Sequence, residues 1–237
     1  MSAAGAHNER LLRLSGGMVA AVNGEHPARD LCRACVETLA VAGASVMVMT
    51  EGPLPAPFCA SNAVSARIED LQHTLGEGPC VDAHEGGRAV SEPDLAMPRR
   101  PRWIAFAPAA VAAGAKALFS FPLRVGGVRL GALTLYQPRA GELSAGQHAD
   151  AHTVASVVAN AILAIQAEAA PGTLSPDLEV LAGRRAEFHQ ASGMVSVQLG
   201  VGVGEAMVRL RAHAYATERP LAEIAVDVVA RRLRFAD

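Results

Sequence analysis

Two ten-residue runs, KALFSFPLRV (116–125) and VRLGALTLYQ (128–137), meet at Gly126-Gly127, and this junction constrains the fold more than any other part of the chain. Both runs carry the aromatic, leucine and valine side chains of buried strands, and two glycines accept the positive φ angles of a two-residue turn without steric cost, so the spacing predicts an antiparallel hairpin. The residues around it supply the rest of a sheet and its cover. Asp30 to Leu39 places Leu31, Cys32, Cys35, Val36 and Leu39 on one helical stripe. SVMVMT (45–50) follows as a strand, with a partner near FCAS (58–61). Then come a helix in SARIEDLQHTL, the loop GEGPC, the short segment RAVSEPDL and a helix from Arg102 to Ala113. The pattern is α+β with an antiparallel sheet and flanking helices.

A second unit follows. QHADAHTVASVVANAILAIQAE (147–168) repeats Val154, Val158, Ala161 and Ile165 along one side, a stripe that suits either the chain's own sheet or another helix. APGT (170–173) breaks the pattern, which divides the chain into residues 8–168, a linker at 169–177 and residues 178–237. Ser175-Pro176 reads as a helix start, with Ser as cap and Pro in the first turn. Leu181, Phe188 and Val195 then recur every seven residues. VQLGVGVGEA (197–206) raises the possibility of a phosphate-binding loop, but its glycines fall at 200, 202 and 204, one place wrong for a dinucleotide fingerprint, and no lysine follows for a Walker loop. Three glycines so close instead end one helix and open the next, whose Ala206, Leu210, His213 and Ala214 share a face. After Thr217–Pro220, the stripe Leu221, Ile224, Ala225, Val228, Val229 and Leu233 marks a third helix, and the three make an all-α bundle.

Bulk properties narrow the function. The 237 residues are 51% hydrophobic with a formal charge of −2, enough apolar material for two cores and no global signal for nucleic acid. No membrane span or secretory signal is expected, and the chain reads as cytoplasmic. Four cysteines are too few for a disulfide scaffold, in keeping with a reducing compartment. Cys32 and Cys35 form a C-x-x-C without a second pair, and both fall on the apolar stripe, so they read as core residues and not as a zinc half-site. Cys80, in a glycine-rich loop, reads as a packing or pocket-wall residue, with a reactive thiol as its alternative. His148 and His152 lack a third ligand, so no metal site is expected. In the tail, between residues 184 and 235, eight arginines (184, 185, 209, 211, 219, 231, 232, 234) face five acids, a local balance of +3. Guanidinium groups grip phosphate in bidentate fashion and stack on unpaired bases, which makes Arg209, Arg211 and Arg219 candidates for RNA contact, with Tyr215 as a stacking ring.

The tail EFHQASGMVSVQLGVGVGEAMVRLRAHAYATERPLAEIAVDVVARRLR resembles the ANTAR domain, a three-helix RNA-binding module of transcription antiterminators, over roughly residues 178–234. The points of likeness are Ala191 and Gly193 with Met194, Ala206, Leu210-Arg211 with Ala214, and Leu221 with Ala225; Ser192 stands where many members carry lysine. The first unit, through GEGPCVDAHEGGRAVSEPDL and RWIAFAPAAVAAGAKALFSFPLRVGGVRLGALTLY, is similar to the GAF domains found fused to ANTAR domains in actinobacteria. These resemblances imply an α+β GAF unit with a small-molecule pocket on one sheet face, followed by an ANTAR bundle. They also imply a homodimeric regulator that senses a ligand or partner and holds paired RNA hairpins in mRNA leaders, without cofactor or catalysis. The candidate RNA-binding set is Gln190, Ala191, Ser192, Gly193, Arg209, Arg211, Tyr215 and Arg219; the candidate ligand-binding set is Cys80, Asp82, Trp103, Phe119 and Phe121. Two alternatives stand beside this reading. One is a thiol enzyme like the GAF-fold methionine sulfoxide reductases, with Cys80 as nucleophile and Cys59 as resolving thiol; the other is a protein-interaction module that does not bind RNA.

Overall fold

A computed structural model describes residues 16, 18, 20–21, 24, 27–49, 56–98, 102–167 and 173–235. The expected start of the first unit at residue 8 and residues 169–172 of the expected linker lie outside them. Among the described residues, helix α1 (Pro27–Leu39) precedes strands β1 (Gly43–Val48) and β2 (Ala56–Ala60). Helices α2 (Ala63–Leu75) and α3 (Pro79–Gly86), strand β3 (Val90–Glu92) and helix α4 (Phe106–Ala112) follow. The hairpin β4 (Ala117–Val125) and β5 (Val128–Gln137) leads to α5 (Ala145–Ala167), and the chain ends in α6 (Pro176–Leu199), α7 (Val203–Ala216) and α8 (Leu221–Val229).

The five strands form one sheet in the order β2-β1-β5-β4-β3, with every neighbouring pair antiparallel. The expected hairpin is its centre, turning at Gly126 with φ +58°. Strand alternation sends successive side chains to opposite faces, and each face has its own core. Phe119, Phe121, Leu133 and Leu135 pack with Leu31, Cys32 and Cys35 of α1 and with Val154, Val158 and Ala161 of α5. That stripe of α5 is therefore occupied by the chain's own sheet. On the opposite face Met47, Leu118, Ala132 and Tyr136 meet Ile68 and Leu71 of α2, Cys80 and Ala83 of α3, and Phe106 and Ala110 of α4. Burying a side chain the size of Phe119 or Leu118 from water contributes about 1.5–3 kcal/mol, so the two clusters together hold the sheet between helical layers.

The cysteine reading needs one correction. Cys32 is buried as expected, but it is disulfide-bonded to Cys59 on β2, while Cys35 and Cys80 are free buried thiols. Sequence separation hid this pair, because the contact arises only when β2 returns along the sheet edge beside α1.

The last three helices share a third cluster containing Phe188, Ala191, Val195, Leu210, Ala214, Leu221, Ile224 and Val228. The glycine segment is a corner: Gly200 closes α6 in the left-handed region at φ +65°, and Gly202 stands at the start of α7. Ser175 does occupy the cap position of α6, yet its hydroxyl makes no cap bond; instead its backbone N–H donates to Gln166 Oε1 at 3.0 Å, tying α6 to the end of α5. This C-terminal unit is not held away from the sheet. Helix α6 lies against β2, and α7 and α8 contact α2.

Candidate functional site

The sheet face beneath α2 and α3 carries polar side chains where its neighbours are apolar. Register places Ser45 beside Thr134 and Thr134 beside Ser120, so three hydroxyls line up across β1, β5 and β4. All three are buried, and Ser120 and Thr134 are hydrogen-bonded at 3.0 Å. Glu69 descends onto them from α2. Ser45 Oγ donates to Glu69 Oε1 at 2.7 Å and Gln72 Nε2 donates to the same oxygen at 3.3 Å. Burial pushes the Glu69 carboxyl from 4.5 up to about 7, a rise held in check by the Ser45 and Thr134 hydroxyls. Gln72 uses its other end to accept from the backbone N–H of Cys80 at 2.8 Å, which fixes the first turn of α3 over the cluster.

Cys80 thus lies in a helix, not in an exposed loop: Pro79 takes the first helical position and the GEGPC turn is only three residues of connection. The thiol is 0% exposed and held well above its usual range, first by burial and then by the Glu69 carboxyl. A nucleophilic cysteine needs an accessible thiolate, and this environment is that of a packed core residue. Cys59, the expected resolving thiol of the enzyme alternative, is instead joined to Cys32.

At the rim of the same layer Arg102 binds Glu92 at 3.3 Å and Asp82 at 3.5 Å, and its guanidinium lies 3.9 Å from the centre of the Trp103 ring. Trp103 is buried with φ +55°, a left-handed conformation that costs a bulky residue on the order of 1–3 kcal/mol and that tends to be kept where geometry serves a site. The Glu77 carboxylate accepts from the backbone N–H groups of Ala105 and Phe106 at 2.9 and 2.8 Å, holding this segment at the start of α4.

Of the candidate ligand residues, Cys80, Asp82 and Trp103 come together here. Phe119 and Phe121 do not; they point to the opposite face, into the α1 and α5 core, where His148 and His152 pack edge-on against Phe121. They follow Leu118 and Ser120 by one residue, and one residue in a strand reverses the side. Reading from residue types passed over Ser45, Glu69, Gln72, Arg102, Ser120 and Thr134. A usable signal was present: Glu69 falls in the apolar stripe of α2 beside Ile68 and Leu71, a costly place for a carboxyl without a purpose.

The candidate RNA residues are dispersed. Gln190, Arg209, Tyr215 and Arg219 are exposed, Gly193 and Arg211 half-buried, and Ala191 and Ser192 wholly buried. Ser192 Oγ donates to the His189 carbonyl at 3.0 Å, turned into its own helix. Residues two apart on a helix lie roughly 200° apart, so Arg209 and Arg211 cannot share a face of α7. Arg209 pairs with Glu205 at 3.2 Å. Arg219 is held by Asp227 at 2.6 Å and by Glu223 at 3.5 Å, while Asp227 also takes Arg232 at 2.7 Å. Arg211 seats its guanidinium against Gly76, where α2 ends, and burial lowers its pKa. Beside it the Phe188 and His73 rings meet with centroids 4.8 Å apart. Tyr215 and Arg219 line a recess of about 570 Å³ between α2, α4 and the end of α7, together with Arg67, Asp70 and Thr74.

Comparison with known proteins bears on the first unit. Residues 26–163, more than half of the chain, match the GAF domain; the match ends before α6. No curated protein matches the chain. Among solved structures, the GAF domain of a phosphoenolpyruvate-protein phosphotransferase from Coxiella burnetii aligns with a TM-score of 0.51 and 15% identity, covering 68% of this chain and 96% of that one. The GAF domain of the Acinetobacter phosphoenolpyruvate-protein phosphotransferase gives 0.49 and 11%, covering 72% and 99%. The free methionine-R-sulfoxide reductase from Neisseria meningitidis gives 0.48 and 14%, covering 68% and 90%.

Proposed function

We propose, from the premise that this chain belongs to the GAF domain family, that it is a regulator in which the polar sheet face senses a small molecule or partner and the C-terminal helices bind RNA. GAF domains are ligand-sensing modules, and the fold alone does not name the ligand. The observation that carries the reading is the direct seating of the C-terminal unit on α2, the helix that also supplies Glu69 and Gln72 to the pocket cluster. His73 follows Gln72 and meets Phe188, and Gly76 at the end of the same helix receives Arg211. A shift of α2 on ligand binding moves both contacts at once.

In this reading the C-terminal unit acts in transcription antitermination, holding RNA hairpins that compete with a terminator. Two copies in a homodimer give two weak loop contacts the strength of one linked contact. The ion pairs of Arg209 and Arg219 are compatible with it, because exposed pairs contribute only about 0–1 kcal/mol and exchange readily for phosphate. Arg211 becomes available when the unit moves off Gly76. The chain performs no covalent chemistry in this account: the thiol that an enzyme would use, Cys80, is enclosed and protonated.

A gel-shift assay with paired hairpin RNAs tests the proposal. Arg209→Ala, Arg211→Ala and Arg219→Ala together are expected to abolish a binding that weakens steeply with salt. Unchanged binding by the triple variant rejects this surface, and salt-insensitive or absent RNA binding by the unaltered chain favours a protein-interaction module.

A further inference from the structure

Strand β2 is where three parts of the molecule meet. Among the described residues it is the edge of the sheet, paired with β1 through a register that shifts between Val46 and Met47. Helices α1, α2 and α6 all contact it. Its Cys59 is half-buried and bonded to Cys32, a wholly buried residue in the middle of α1, with the two Cα atoms 6.1 Å apart. The covalent tie therefore joins the helix packed on one sheet face to the edge strand against which the C-terminal unit leans.

We propose that Cys32–Cys59 is a reversible thiol–disulfide site, exchanged by low-molecular-weight thiols at the Cys59 sulfur, and that its state governs how firmly β2 supports α6. Cys59 is half-buried and the more exposed residue of the pair, whereas Cys32 is wholly enclosed. An incoming thiolate attacks Cys59 Sγ and breaks the bond to Cys32, whose sulfur leaves with the electron pair and takes a proton. A second thiolate then attacks the outer sulfur of the mixed disulfide, releasing Cys59 and forming the small-molecule disulfide. Two thiols are oxidised and one protein disulfide is reduced; oxidation of the pair is the reverse sequence. Cys35 and Cys80 do not compete, since burial pushes the Cys35 thiol up to about 12 and Cys80 well above its usual range.

Once reduced, the edge strand is held by its irregular pairing with β1 and by noncovalent packing. The backbone of β2 then opens more often, and with it the seat of α6. This stands apart from what the C-terminal unit binds, so loss of the RNA reading leaves it intact.

The full-length chain, equilibrated without oxygen across ratios of reduced to oxidised glutathione, then alkylated and weighed as peptides, gives the state of each thiol. Hydrogen exchange on the same samples gives the opening of residues 56–60 and 176–199. The expected result is paired loss of the Cys32 and Cys59 thiols at the oxidising end alone, with both segments exchanging several-fold faster in the reduced form. Cys59→Ser should exchange like reduced protein in every buffer, and Cys35→Ser like the unaltered chain. Four free thiols at every ratio, a bond that no thiol reduces, or equal exchange of residues 176–199 in the two forms would overturn the proposal. If Cys59→Ser fails to fold, the two redox forms of the unaltered chain decide it.

Discussion

Glu69 is the residue whose environment makes the sharpest demand. In the folded chain its carboxyl titrates at about 7 against an ordinary 4.5, so between these values the native state holds a proton that the unfolded chain has lost. Stability contributed by the neutral form is present in full below pH 4.5 and declines as pH rises through 7, by roughly 3 kcal/mol at about 1.4 kcal/mol per unit. Urea unfolding at pH 5 and pH 8 should show most of that difference, and Glu69→Gln should remove the greater part of it while keeping the contacts to Ser45 and Gln72. A variant that retains the full pH slope would place the proton elsewhere. Cys80 offers a second check: native protein at pH 8 should leave this thiol unalkylated by iodoacetamide while denatured protein reacts at once. Neither environment follows from residue type. Sequence shows a carboxylate on an apolar stripe and a cysteine near glycines, but the hydroxyls that meet the one and the apolar cluster that encloses the other come from strands and helices elsewhere in the chain.

At the level of elements, local rules carried a long way. The paired strands about Gly126, the stripes of α1 and α5, and the glycine corner before α7 all rest on interactions within a few residues or on simple periodicity and are found where those rules place them, while the stripe of α8 stops at Val229 and leaves the expected Leu233 beyond the helix. Gly200 should therefore behave as a local cap: Gly200→Ala, forced into φ +65°, is expected to cost about 1 kcal/mol, read as a few degrees in thermal midpoint. Phe188 is different because its ring also belongs to an interface. Phe188→Ala should cost about 3–5 kcal/mol and should raise exchange in α2 around His73 as well as in α6. An effect confined to α6 would mean that the two units do not stabilise one another. The sheet phenylalanines mark where local reading ends: Phe119 and Phe121 stand among the candidate ligand residues by their place on the strands facing the GEGPC loop, and a shift of one residue in phase sends them to the other core.

For the whole molecule, the decisive fact is that α2 carries Glu69 and Gln72 of the buried polar cluster and also contacts the C-terminal unit. Gly76→Ala, which would bring a methyl into the Arg211 guanidinium and strain a residue at φ +67°, is expected to loosen the C-terminal unit, seen as faster hydrogen exchange in α6 and α7 with the sheet core unaffected. In oxidising buffer, Cys32→Ser should lower stability by about 2–4 kcal/mol, the usual effect of opening a loop whose ends are 27 residues apart. The chain's patterning alone announced an α+β unit with an antiparallel sheet and three further helices, because periodicity and turn chemistry act over short separations. The buried hydroxyl and carboxyl cluster on the sheet face, the disulfide, the ion pairs that occupy Arg209 and Arg219, and the burial of Arg211 belong to the folded molecule. They depend on which distant surfaces come into contact, and contact between separated segments is set by the packing of complete faces, which no short stretch encodes.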